Sequence, residues 1–91
     1  MIPDREAIWK EYETKDLYIY GWHDDVVFHR TDKGVWCVRH EGTQERLTNI
    51  DVNRELQRAY DFPVVITKEE FEKFDVGTLQ YRVSKDGVPL Y

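Results

Sequence analysis

The chain has 91 residues, 41% hydrophobic and 14% aromatic, with 13 Lys and Arg against 18 Asp and Glu and a formal net charge of -5. One ordinary domain fits that length, residues 1–91, and three Trp, six Tyr and four Phe can build its core without covalent staples. A lone cysteine, Cys37, excludes an intrachain disulfide framework and fits a reducing, cytoplasmic setting, while the acidic balance argues against a general phosphate-binding surface.

The first predicted element is a helix from Pro3 to Glu13. Pro suits the first turn, Asp4 and Glu6 complement the positive end of the dipole, and Ile8, Trp9 and Tyr12 share one side. From Leu17 to Trp22 aromatic and branched residues predict a strand, with Gly21 as a bend near its end. Two further strands, Asp25–Arg30 and Val35–His40, flank the turn Thr31-Asp32-Lys33-Gly34. Pairing Arg30 with Val35 would set His29 opposite Trp36, Phe28 opposite Cys37 and Asp25 opposite His40. The core face would then hold Val26, Phe28, Val35 and Cys37, so Cys37 is expected to be a small buried hydrophobe. After Glu41-Gly42, the segment Thr43–Thr48 has one apolar residue, Leu47, and reads as an edge strand.

Helices follow. Asp51 is the expected cap of a segment whose Val52, Leu56, Ala59 and Tyr60 form one stripe, ended by Asp61-Phe62-Pro63. Thr67 and Glu70 are spaced as a capping box, and Ile66 and Phe71 as a hydrophobic staple, so a third helix starts at Lys68 and turns Phe71 and Phe74 inward. Leu79, Tyr81 and Val83 alternate with polar residues and predict a strand. Lys85-Asp86-Gly87 then reads as a hairpin turn into a terminal strand Val88–Tyr91. The order α-β-β-β-β-α-α-β-β predicts an α+β domain with an antiparallel sheet of four to six strands and three short helices.

Chemistry is sparse. His23, Asp25, His29 and His40 are residue types that bind metals, and a small metal-dependent hydrolase is the alternative they suggest. The paired register nevertheless separates His29 from His40 by about 13 Å along the sheet, and Asp25 facing His40 is equally an ion pair. No nucleophile elbow, metalloprotease helix, Walker loop or dinucleotide fingerprint occurs, so no catalytic residue and no cofactor are expected.

Tyr18, Tyr20 and Trp22 on one strand face could stack nucleobases. The segment 1–16, however, carries five acids and three bases, and 62–75 four acids and two bases, so a basic groove is missing. Direct nucleic-acid binding is not expected. Neither is a membrane span, because no apolar run approaches 20 residues, nor a signal peptide, because Pro3, Asp4, Arg5 and Glu6 stand within the first six residues.

Nine Tyr or Trp and seven Arg are the residue types enriched at interface hot spots. The composition therefore predicts a protein-binding module rather than an enzyme. Its expected surface is Tyr18, Tyr20, Trp22 and Trp36, rimmed by Asp24, Asp25 and Asp32, on a sheet face that helices leave partly uncovered. An acidic module of this kind suits stoichiometric inhibition, of immunity or phage type, of a basic-surfaced nucleic-acid-processing enzyme. A structural subunit of a larger assembly shares the same composition.

Overall fold

A computed structural model describes residues 5–40 and 42–83. They form three α-helices and a five-stranded antiparallel sheet in an α+β arrangement, as the sequence predicts. Helix α1 spans Arg5–Glu11; the expected start at Pro3 and Asp4 lies outside the described residues. Strands β1 (Leu17–Gly21), β2 (Val26–Arg30), β3 (Trp36–Arg39) and β4 (Gln44–Arg46) follow as a meander. A single 3-10 turn at Ile50–Val52 then leads into α2, Arg54–Asp61, and strand β5, Val64–Val65. Helix α3, Lys68–Glu72, and a 3-10 turn at Gln80–Arg82 complete the described chain. The sheet order is β4-β3-β2-β1-β5, so β1 sits between β2 and the short β5.

The β2–β3 register differs from the sequence reading by one residue. Arg30 pairs with Trp36, His29 with Cys37 and Phe28 with Val38. Thr31 closes the ladder and opens the turn: its N–H donates to the Val35 carbonyl at 2.8 Å and its carbonyl accepts from the Gly34 N–H at 2.9 Å. That leaves a three-residue loop, Asp32–Gly34, closed by Gly34 at φ +83, the left-handed position such loops require. Because side chains alternate, the slip exchanges the two faces of β3. Trp36 and Val38, expected opposite the core, join Val26 and Phe28 within it, and Cys37 moves to the other face, where it is half-buried rather than buried. The expected Asp25–His40 pairing is replaced by Val27 opposite Arg39, with Asp25 outside the strand.

Both sheet faces are packed over the central strands, which corrects the expectation of one open face. On the first, Leu17, Ile19, Val26, Phe28, Trp36 and Val38 meet Leu56 and Ala59 of α2, with Trp9 and Tyr12 at the margin. Gly21 lets α2 approach, since a Cβ there would stand 3.0 Å from the Phe28 ring and 3.4 Å from the Ala59 methyl. On the second face Tyr20, Val27, Val64, Ile66, Phe71, Phe74 and Leu79 form a separate cluster.

Three more local readings change. The cap of α2 is Asn53, whose Oδ1 accepts from the Leu56 N–H at 2.9 Å. Asp51 and Val52 instead wind into the preceding 3-10 turn, which throws Val52 out of the stripe and leaves it 74% exposed. The expected strand at Leu79–Val83 is a turn, held by N–H bonds from Arg82 to the Leu79 carbonyl and from Val83 to the Gln80 carbonyl. A two-residue strand, β5, has no signal in the sequence, because a pair of valines after Pro63 carries no periodicity. The predicted hairpin at Lys85–Gly87 and strand Val88–Tyr91 lie outside the described residues.

The capping box is present as read. Thr67 Oγ1 accepts from the Glu70 N–H and Glu70 Oε1 accepts from the Thr67 N–H, each at 3.0 Å. Ile66 and Phe71 are both buried in the second-face cluster. Segment 44–46 is an exposed edge strand, also as expected.

Candidate functional site: an aromatic groove between the first two helices

The residues expected to form one binding surface are distributed over both sheet faces. Tyr20 is 1% exposed and donates its phenol hydrogen to Asp25 Oδ1 at 2.6 Å; burial first, then this bond, raises its pKa above the tyrosine range. Tyr18 is half-buried, stacked on the His29 ring with centroids 4.2 Å apart and tilted against Phe71. Trp22, also half-buried, lies over the exposed His23 at 3.6 Å. Trp36 is on the opposite face and 8% exposed. Of the rim acids, only Asp32 stands exposed in its turn. Asp24 holds Arg58 through two bonds, 2.9 Å from Nε and 2.6 Å from Nη2, and Asp25 also accepts from the Gly77 N–H at 2.7 Å. The bidentate carboxylate raises the Arg58 pKa further above its already basic value.

The histidine set is equally dispersed. His23 packs on Trp22, His29 Nε2 lies 3.3 Å from Asp16 Oδ1, and His40 borders a shallow hollow beside Asp24 and Asp25. Among the described residues, no three His, Cys, Asp or Glu side chains converge as a metal site would require.

A different surface is built on the first face. Trp9 of α1 lies flat on Tyr60 of α2, centroids 4.2 Å apart and planes 12° from parallel, and meets Trp36 of β3 edge-on at 6.0 Å. Between α1 and the end of β2 this stack borders an open groove of about 500 Å³, walled by Trp9, Trp36 and Tyr60 and fringed by Glu6, Lys10, Glu13 and Arg30. Arg30 is oriented by its Nη2 bond to the Glu13 carbonyl, 3.1 Å long. On the far side of Trp36 and Tyr60 lies a second hollow of about 180 Å³, reached by Ile50, Asp51, Leu56 and Gln57. Trp36 and Tyr60 line both hollows; Tyr60 is 45% exposed, and Ile50, at the second hollow only, is 39% exposed.

No protein-family model, curated protein or solved structure matches this chain.

In the sequence Trp9 and Tyr60 fall on inward helix stripes and Ile50 falls in no predicted element. A trace of the groove was present nonetheless. In each stripe a large ring stands next to a smaller apolar residue, Trp9 beside Ile8 and Tyr60 beside Ala59. Rings at the margin of a stripe are where two helices leave aromatic surface shared between core and solvent. The arrangement offers partly exposed aromatic rings, an open cleft and a mixed-charge rim.

Proposed function

We propose that this chain is a protein-binding module that docks its partner on the Trp9–Trp36–Tyr60 groove. The observation that carries the reading is the half-exposed Tyr60 ring, which lines both hollows, with Ile50 accessible at the second. Partly exposed aromatic anchors surrounded by polar groups are the anatomy of an interface hot spot.

Charge refines the proposal. Around the two hollows Glu6, Glu13 and Asp51 stand against Lys10 and Arg30, and the whole chain carries -5. The rim is close to balanced, so it is the whole-chain charge that favours a partner with a basic working surface and speeds encounter by steering. A nucleic-acid-processing enzyme has such a surface, and stoichiometric inhibition of one, by occlusion rather than chemistry, is the activity proposed.

Affinity capture from the host's own lysate, comparing the parent chain with Tyr60→Ala and Ile50→Asp, tests the site. A partner recovered by the parent and lost by both folded variants is the expected result. Equal recovery by all three overturns the assignment.

A further inference from the structure

Among the described residues Asp25 is the one non-glycine at positive φ, +52, and it closes the Trp22–Asp25 turn between β1 and β2. Asp and Asn are the residues that enter this left-handed region at least cost, yet the conformation still needs its surroundings to hold it. Here they do so from two directions. Asp24 reaches the α2 layer and takes Arg58 in a fork, while Asp25 reaches the opposite layer and takes both the Tyr20 phenol and the Gly77 N–H. Arg58 lies two residues before Tyr60 of the groove. Gly77 lies in the turn Asp75–Thr78, between the buried anchors Phe74 and Leu79.

We propose that the Asp24–Asp25 turn is a coupler that links α2 on one sheet face to the Asp75–Leu79 segment on the other. The physical reason is that the two carboxylates share one strained backbone joint. Rotation about Asp25 that releases Gly77 also swings Asp24 out of register with Arg58, and withdrawal of Arg58 removes one of the restraints holding Asp25 left-handed. The turn therefore has a latched arrangement in which both carboxylates are engaged, and loosening either side raises the population in which both are free. Such coupling is reciprocal in free energy. It rests on the binding reading in one respect only: the groove supplies the event that would act on α2. Partner docking at Tyr60 would thus be felt at residues 75–79, across the sheet.

Amide hydrogen exchange of the free chain measures the coupling directly. Arg58→Met keeps the apolar stem and deletes the fork; Asp25→Asn keeps the tolerance for positive φ and deletes the charge. Arg58→Met is expected to speed exchange at the Gly77 amide by about 2- to 30-fold, the range carried by residues in one network, with the Phe71 amide of α3 unchanged. Asp25→Asn is expected to speed the Phe62 amide, which bonds the Arg58 carbonyl at the end of α2, by a similar factor. If each variant loosens only its own layer, or if every amide accelerates equally, the coupler is overturned. Either failure leaves the groove standing, whereas capture insensitive to Tyr60→Ala overturns the groove and leaves the coupler intact.

Discussion

Trp9 and Tyr60 lie face to face, 4.2 Å between ring centroids, and hold α1 against α2 while leaving Tyr60 45% exposed. One ring pair thus serves packing and presents surface. Tyr60→Ala should cost about 0.5–1.5 kcal/mol of stability from the lost aromatic pair, plus the area it buries, and at least about 2 kcal/mol of partner affinity. Trp36→Ala, in contrast, truncates a core ring and should cost about 3–5 kcal/mol of stability. Denaturant melts of both variants separate the roles, and equal destabilisation by the two would place Tyr60 in the core.

Helix α3 has five residues, too few to persist without its cap and its docking. Thr67→Ala should cost about 0.5–2 kcal/mol and Phe71→Ala about 3–5 kcal/mol. The cap also sets an acid limit. Burial alone would raise the Glu70 carboxyl, but the Thr67 amide, the Tyr81 hydroxyl and nearby Arg82 together hold it below the glutamate value of 4.5. A carboxyl lowered by folding contributes stability above its unfolded pKa that is lost as pH falls through the folded one. Stability should therefore decline below about pH 4.5, and Glu70→Gln should remove that part of the decline; an unchanged acid limb would show that the box carries none of it.

Tyr20 sets the alkaline limit. Its phenol is raised above the ordinary value of 10.0, so the neutral form contributes stability that is complete below pH 10 and lost as pH rises beyond it. Absorbance of tyrosinate should show one tyrosine ionising only as the fold opens, and Tyr20→Phe should abolish that late step. The same variant leaves Asp25 Oδ1 without its 2.6 Å donor, so it should also lower stability at neutral pH by about 0.5–1.5 kcal/mol.

Cys37 reports the sheet register. Paired with His29 and half-buried, its thiol should react with a small alkylating reagent in native protein, without denaturant. Labelling seen only on unfolding would return Cys37 to the Phe28 face and reverse the pairing described here.

Local rules were enough to read much of this protein. Thr67 and Glu70 announce α3 because a capping box closes within four residues, and the polar Thr43–Thr48 stretch announces an edge because one apolar residue in six cannot fill a sheet interior. The α+β class follows likewise from hairpin-linked strands set apart from helices. Tertiary structure decided what depends on the whole. Whether Arg30 pairs with Val35 or with Trp36 is a one-residue matter that local propensity barely distinguishes, yet it carries Trp36 into the core and Cys37 out of it. The fates of Asp24 and Asp25 rest on Arg58 and Gly77, 34 and 52 residues away, and adjacent carboxylates say nothing in sequence about such partners. The groove is of the same kind. Trp9, Trp36 and Tyr60 come from three elements, and an aromatic ring reads as core or surface only when its neighbours across the fold are known.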